Sequence, residues 1–131
     1  MFEIIVEIGG AHKGDVNYLE ELINDAIQAG STHIKFQIYE PDSLVSKDYN
    51  LKRYLHFEKL TIDPEIYIKV KNFYKTKFPN VQFGASIWSP LLINKYGYEF
   101  DFLKLGSGDM TYKQCILEIC KIKKPFYIST G

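Results

Sequence analysis

Short apolar runs rich in β-forming residues alternate along this chain with longer segments in which apolar residues recur at helical spacing. The predicted strands cover residues 2–8, 33–39, 81–87, 100–105 and 125–129. The predicted helices cover residues 16–29, 63–77, 89–97 and 112–121, and a further short helix is expected near 51–57 in the long connection 40–62. This order is typical of an α/β fold with a parallel sheet.

Composition limits what such a chain can be. Its 131 residues, 46% hydrophobic and 15% aromatic, predict one globular unit over 1–131 and exclude a disordered chain. Sixteen basic residues balance sixteen acidic ones, so no overall field favours nucleic acid or a membrane surface. Any bound anion must therefore be held by a local site.

Targeting and cysteine patterns predict a cytoplasmic protein. No signal-peptide pattern opens the chain, and no apolar run approaches the roughly 20 residues that span a bilayer. Cys115 and Cys120 match no zinc-binding spacing, and we expect both to be small buried residues in a reduced state.

Two architectures fit the strand order: an open doubly wound sheet and a (β/α)8 barrel. Polar side chains stand near the carboxyl end of every predicted strand, at Glu7, Lys35, Gln37, Ser86, Lys104, Ser107 and Ser129. A doubly wound sheet concentrates its site at one switch point, so this distribution favours the barrel. Because a complete barrel has about 250 residues, we expect this chain to cover the first five strands and four helices.

Lysines inside two predicted strands indicate an anion site. Lys35 and Lys104 interrupt runs that are normally continuously apolar, and each needs a partner to offset its desolvation. Gly106-Ser107-Gly108 follows a strand and precedes a helix, so its hydroxyl and backbone N–H groups can converge on a phosphate. A similar turn follows at Ser129. The predicted ligand is a phosphate or carboxylate.

Two further groups near these strands have alternative roles. Glu7 can form an ion pair with a lysine of the site or transfer protons to substrate, and both roles stay open. His12, in the loop after the first strand, is expected to be a hydrogen-bonded loop residue. With His33 and His56 in other segments, we predict no metal site made by this chain alone.

Six stretches in order resemble the N-terminal half of the sialic acid synthase (N-acetylneuraminate synthase) family, whose catalytic domain is a (β/α)8 barrel. They lie at 7–15, 34–37, 57–60, 83–86, 104–109 and 128–131. The resemblance implies a transferase that condenses phosphoenolpyruvate with an open-chain 2-acetamido aldose such as N-acetylmannosamine. The products are a nonulosonic (sialic) acid and phosphate, for surface polysaccharide or lipopolysaccharide biosynthesis.

The same resemblance implies residue roles. Glu7 acts at the reacting centre. The residues that would hold phosphoenolpyruvate are Lys35, Ser86, Lys104, Ser107 and Ser129, with Ser86 where the family commonly has Thr. Those that would bind the sugar are Gln37 and Asp109. Mn²⁺ or Mg²⁺ would assist, with ligands expected outside this chain.

Three departures from the family pattern keep other functions open. Ala11 replaces the Asn of an Asn-His-x-Gly loop, Ile38 replaces a Thr, and Ile87-Trp88 replaces a Pro-Phe pair. The alternatives are a non-catalytic phosphosugar-binding or partner-binding module and another phosphoenolpyruvate-dependent aldolase-type barrel. Because five strands leave two sheet edges open, we also expect a homo-oligomer or pairing with a chain that carries the rest of the barrel.

Overall fold

Five strands pair in chain order to form one sheet in the computed structural model, which describes residues 3–131. They are β1 (Ile5–Glu7), β2 (His33–Ile38), β3 (Gln82–Ile87), β4 (Phe102–Leu105) and β5 (Phe126–Ile128). Every neighbouring pair is parallel. The order β1-β2-β3-β4-β5 has no reversal, so the predicted half of a (β/α)8 barrel is confirmed and the doubly wound sheet is excluded. The predicted start of the first strand at Phe2 lies outside the described residues.

Six α-helices connect these strands: α1 (Val16–Gln28), α2 (Pro41–Leu44), α3 (Leu51–Leu60), α4 (Pro64–Lys77), α5 (Pro90–Tyr96) and α6 (Lys113–Ile122). Four of them, α1, α4, α5 and α6, are the predicted helices between successive strands. The long connection contains α2 as well as α3, and only α3 was expected there. Short 3₁₀ turns at Gly97–Glu99 and Ser107–Asp109 complete the secondary structure of residues 3–131.

Side-chain caps place the helix starts where the sequence predicts them. The Asp15 carboxylate accepts hydrogen bonds from the backbone N–H groups of Asn17 and Tyr18, and Asp63 accepts one from Glu65. Such caps satisfy N–H groups that have no partner inside the helix. Gly30, with φ +90°, ends α1 in the left-handed conformation that favours glycine.

Alternation along the strands separates an apolar face from a polar one. On β2, Ile34, Phe36 and Ile38 are buried against the helices, and the Phe36 ring lies 5.1 Å from the Tyr67 ring of α4. Burying each such side chain contributes about 1.5–3 kcal/mol. Lys35 and Gln37 point to the opposite face. The core between sheet and helices thus turns the polar side chains toward the barrel interior.

Two other features of the described residues bear on the predictions. Cys115 is buried but Cys120 is exposed, so the expectation that both are buried is wrong for Cys120, which lies on the solvent side of α6.

Within residues 3–131, no helix combines the length and apolar character needed to cross a membrane.

Candidate active site

Lys35 is the centre of a buried polar cluster. Its Nζ lies 2.6 Å from Glu7 Oε2 and donates a hydrogen bond of 2.9 Å to Ser86 Oγ. The Lys35 side chain is only 2% exposed, whereas that of Glu7 is 44% exposed. Burial lowers the pKa of Lys35, Glu7 opposes this through its hydrogen bond and charge, and the positive charge of Lys104 lowers it further. Glu7, Lys35 and Ser86 form what we call the Lys35 cluster. Glu7 makes an ion pair in it, which was one of its two predicted roles.

Strand register explains why residues so far apart in sequence meet. Glu7 is paired with Lys35 across β1 and β2, and Gln37 is paired with Ser86 across β2 and β3. Because paired residues of parallel strands face the same side, their side chains share the inner face of the sheet. Lys104 follows the same alternation on β4.

A cavity of about 410 Å³ opens at the carboxyl ends of β4 and β5. We call it the strand-end cavity. Four predicted site residues line it, namely Lys104, Ser107, Asp109 and Ser129. It is also lined by Leu44, Arg53, Phe57, Trp88, Gly106 and Gly108. The structure therefore places cationic, hydroxyl and glycine groups around one space, as an anion site requires.

The floor of this cavity is a tight turn. The N–H of Asp109 donates to the Gly106 carbonyl at 3.0 Å, and the N–H of Ser129 donates to the Leu105 carbonyl at 3.1 Å. Burial raises the pKa of Asp109, while a hydrogen bond from the Gly106 backbone and the charge of Lys104 work in the opposite direction. Opposite charges thus lie side by side at the cavity.

Gln37 occupies a different position from the other predicted sugar-binding residue. It is half-buried and does not line the strand-end cavity, and its side chain lies over Gly9, where an added Cβ would be 3.3 Å from Gln37 Oε1. The predicted residues therefore fall into two groups, one around Lys35 and one around Lys104. Because β3 lies between β2 and β4 and both lysines face inward, the two groups lie near each other on the inner face of the sheet.

His12 holds the loop between β1 and α1. Its ring is buried, Nδ1 accepts a hydrogen bond of 3.0 Å from the Gly14 N–H, and Nε2 lies 2.7 Å from the Tyr67 hydroxyl. Burial lowers the pKa of His12. Gly14 adopts φ +81°, and an added Cβ there would lie 2.3 Å from the Lys59 carbonyl oxygen. The prediction that His12 is a hydrogen-bonded loop residue is confirmed.

Metal-ligating side chains do not gather in the described residues. Nowhere in 3–131 do three or more His, Cys, Asp or Glu side chains come together in a way that could hold a metal ion. The two carboxylates of the candidate site have cationic neighbours, since Glu7 pairs with Lys35 and Asp109 lies near Lys104.

Sequence reasoning missed the wall of the cavity that the long connection supplies. Arg53 and Phe57 come from α3, and the Arg53 guanidinium lies 5.7 Å from the centre of the Phe57 ring. Trp88, which follows β3, stacks on Tyr39 with ring centres 5.3 Å apart. Phe57 lies in the family-like stretch 57–60 and Trp88 in a departure from the family pattern, but for Arg53 the sequence signal was the length of the 40–62 connection, because long connections often carry function.

Comparisons with known proteins agree with this fold. A model described as NeuB family matches residues 22–131. An uncharacterized protein of Methanocaldococcus jannaschii is 31% identical over 98% of this chain and 37% of its own length. The N,N'-diacetyllegionaminic acid synthase of Campylobacter jejuni is 28% identical over 98% of this chain and 42% of its own.

A solved structure shares the architecture. The crystal structure of N-acetylneuraminic acid (sialic acid) synthetase from Leptospira borgpetersenii matches with a TM-score of 0.86 at 21% identity, over 97% of this chain and 44% of that one. The chain thus spans less than half the length of these relatives. Because the family model covers most of the sequence and the predicted sialic acid synthase resemblance is confirmed, the chain belongs to the NeuB family.

Proposed function

We propose that this chain forms part of an enzyme that condenses phosphoenolpyruvate with a 2-acetamido aldose to give a nonulosonic acid and phosphate. The observation that carries the proposal is the strand-end cavity, where Lys104, Ser107 and Ser129 surround a tight glycine turn. Relatives described as legionaminic acid and N-acetylneuraminic acid synthases support this reaction class.

The first step is binding of an anion. The Lys104 ammonium offsets the negative charge of phosphoenolpyruvate, and the hydroxyls of Ser107 and Ser129 donate hydrogen bonds to its oxygens. Backbone N–H groups of the Gly106–Gly108 turn add further donors. The Lys35 cluster lies on the same inner face outside the cavity lining, so Lys35 adds positive charge to the surroundings of this site and Ser86 holds Lys35 by a hydrogen bond.

The chemistry then joins two carbon atoms. C3 of phosphoenolpyruvate attacks the aldehyde carbon of the open-chain sugar. A C–C bond forms as the C2–C3 π bond and the carbonyl π bond break, so that the aldehyde oxygen takes up a proton and positive charge develops at C2. Water adds to C2, the C2–O bond to phosphate breaks to leave the 2-keto acid, and the two protons of this water balance those taken up by the new sugar hydroxyl and by the departing phosphate. Glu7, whose carboxylate is 44% exposed, orients this water or accepts its proton, and fixed charges stabilise the developing cation. Gln37 and Asp109 bind the sugar.

Replacement of Lys104 tests this function. In the full-length enzyme, Lys104→Ala should raise the KM for phosphoenolpyruvate at least tenfold or abolish turnover, because the cavity loses a charge that contacts the anion. Lys113→Ala removes an exposed lysine at the start of α6 and serves as the matched control. Unchanged kinetics in Lys104→Ala would exclude Lys104 from the site.

Substrate assays separate the remaining possibilities. Phosphate release with N-acetylmannosamine supports the synthase, whereas release only with a sugar phosphate lacking the acetamido group supports an aldolase-type barrel. A non-catalytic module would bind a phosphorylated sugar in calorimetry and release no phosphate from phosphoenolpyruvate. Each function leaves a different pattern across these measurements.

We also propose that further strands pair with the edge of β5 and that further helices cover its outward face. The enzyme is proposed to be cytoplasmic. Phe126 and Ile128 are 41% and 47% exposed, although outward residues of a parallel barrel are normally buried. The covering chain is either a second copy or a polypeptide that carries the rest of the barrel. Light scattering should detect an assembly larger than one 131-residue chain, and a stable, cooperatively melting monomer would contradict this proposal.

A further inference from the structure

Arg53 is a positive charge at the cavity that sequence reasoning did not assign to the site. It lies on the exposed side of α3 and lines the strand-end cavity together with Lys104. Within residues 3–131, Arg53 forms no ion pair with a carboxylate, whereas Lys35, Lys71, Lys75 and Lys121 do. Its guanidinium is therefore available to a ligand.

The position of this guanidinium is set by its neighbours. It lies 5.7 Å from the centre of the Phe57 ring one turn further along α3, and Phe57 in turn packs edge-on against Tyr39 at 5.5 Å. A cation–π contact with an aromatic ring restricts the long Arg side chain. The Arg53 side chain is thus partly ordered at the cavity wall before a ligand binds.

The two cations that the sequence assigned to the substrate are not equally accessible. Lys35 is 2% exposed, already pairs with Glu7 and Ser86, and does not line the cavity. The cationic side chains that line it are Lys104 and Arg53. If a substrate in this cavity carries two anionic groups, Lys104 can bind one of them and Arg53 is the cation available to bind the other.

We propose that Arg53 is a substrate-binding residue that holds the carboxylate of phosphoenolpyruvate while Lys104 and the Gly106–Gly108 turn hold the phosphate. This inference rests on the proposed function. The planar guanidinium fork matches a carboxylate with two parallel hydrogen bonds, whereas a turn of N–H groups and hydroxyls suits the tetrahedral phosphate. The connection between β2 and α4 therefore contributes directly to substrate recognition.

Calorimetric titration of the full-length protein with phosphoenolpyruvate and, separately, inorganic phosphate tests this assignment. Arg53→Ala should weaken phosphoenolpyruvate binding at least tenfold and change phosphate binding less than threefold, because phosphate has no carboxylate. Arg53→Lys, which keeps the charge but lacks the fork, should show an intermediate loss. Lys52→Ala removes the same charge from the neighbouring exposed position and should bind both ligands as the unaltered protein does.

The outcomes separate this inference from the proposed function. If Arg53→Ala binds phosphoenolpyruvate normally while Lys104→Ala loses it, the role of Arg53 is wrong and the proposed function stands. An equal loss of both ligands in Arg53→Ala overturns the carboxylate assignment. If the unaltered protein binds neither ligand, both proposals fail. Circular dichroism of each variant verifies that the fold is retained, as expected for an exposed side chain.

Discussion

Lys35 and Glu7 face each other across β1 and β2 with their charged atoms 2.6 Å apart, and only the lysine is buried. This asymmetry makes the lysine dependent on the carboxylate. Replacing Glu7 leaves the buried Lys35 ammonium without a partner and out of reach of water. Replacing Lys35 leaves a Glu7 carboxylate that is still hydrated.

Glu7→Gln should consequently destabilise the protein. We expect a loss of about 1–3 kcal/mol in the free energy of unfolding, below the cost of breaking a fully buried pair because Glu7 is partly exposed. Urea denaturation measures this loss. The double variant Glu7→Gln with Lys35→Met should recover part of it, since the buried charge is then absent. Strictly additive effects of the two substitutions would contradict the pairing.

His12 predicts a pH dependence of stability. Nδ1 can accept the Gly14 N–H only when it carries no proton, and burial lowers the pKa of His12 below its usual value of about 6.5. The unfolded chain therefore takes up this proton at a higher pH than the folded chain, and stability should fall as the pH drops below about 6.5. Above that value the contribution is constant.

Thermal denaturation between pH 5 and pH 8 measures this effect against two variants. His12→Asn has an amide oxygen that can accept a hydrogen bond from the Gly14 N–H without titrating. In this variant the His12 contribution to the change of stability with pH should be absent. His56→Asn, at an exposed position on α3, should keep it. Equal pH profiles for His12→Asn and the unaltered protein would show that His12 does not cause the dependence.

Gly14→Ala should be far more harmful than Gly30→Ala. Both glycines have positive φ, +81° and +90°, so each alanine incurs a backbone cost of about 1 kcal/mol. Only at Gly14 would the new Cβ meet a backbone oxygen, that of Lys59, while at Gly30 no atom lies within 4 Å. We expect a total loss of about 2–4 kcal/mol for Gly14→Ala in chemical denaturation. Equal losses would mean that the loop does not pack against α3.

Asp109→Asn separates sugar binding from anion binding. The substitution removes a negative charge near Lys104 and keeps a hydrogen-bonding side chain of similar size. Steady-state kinetics should show a higher KM for the acetamido sugar, while phosphoenolpyruvate binds equally well or more tightly because repulsion of its charge is reduced. A selective rise in the KM for phosphoenolpyruvate would contradict the assignment of Asp109 to the sugar.

The sequence by itself determined the framework and half of the site. Strand and helix order follow from local patterns, because apolar periodicity and caps such as Asp15 and Asp63 act within a few residues. Lys35 and Lys104 were recognisable because a charge inside a buried strand needs a partner. Strand alternation then placed both lysines on the same side of the sheet.

Only the tertiary structure decided that Lys35 and Lys104 have different surroundings and which other side chains lie near each of them. Lys35 is occupied by Glu7 and Ser86 through strand register, while Lys104 opens onto the strand-end cavity. Arg53 lines that cavity because the long connection places α3 beside the ends of β4 and β5, which brings Arg53 and Lys104, about 50 positions apart in sequence, to one space. Exposed charged residues on a short helix carry no local signal of such a contact, so packing of the whole chain was needed to reveal it.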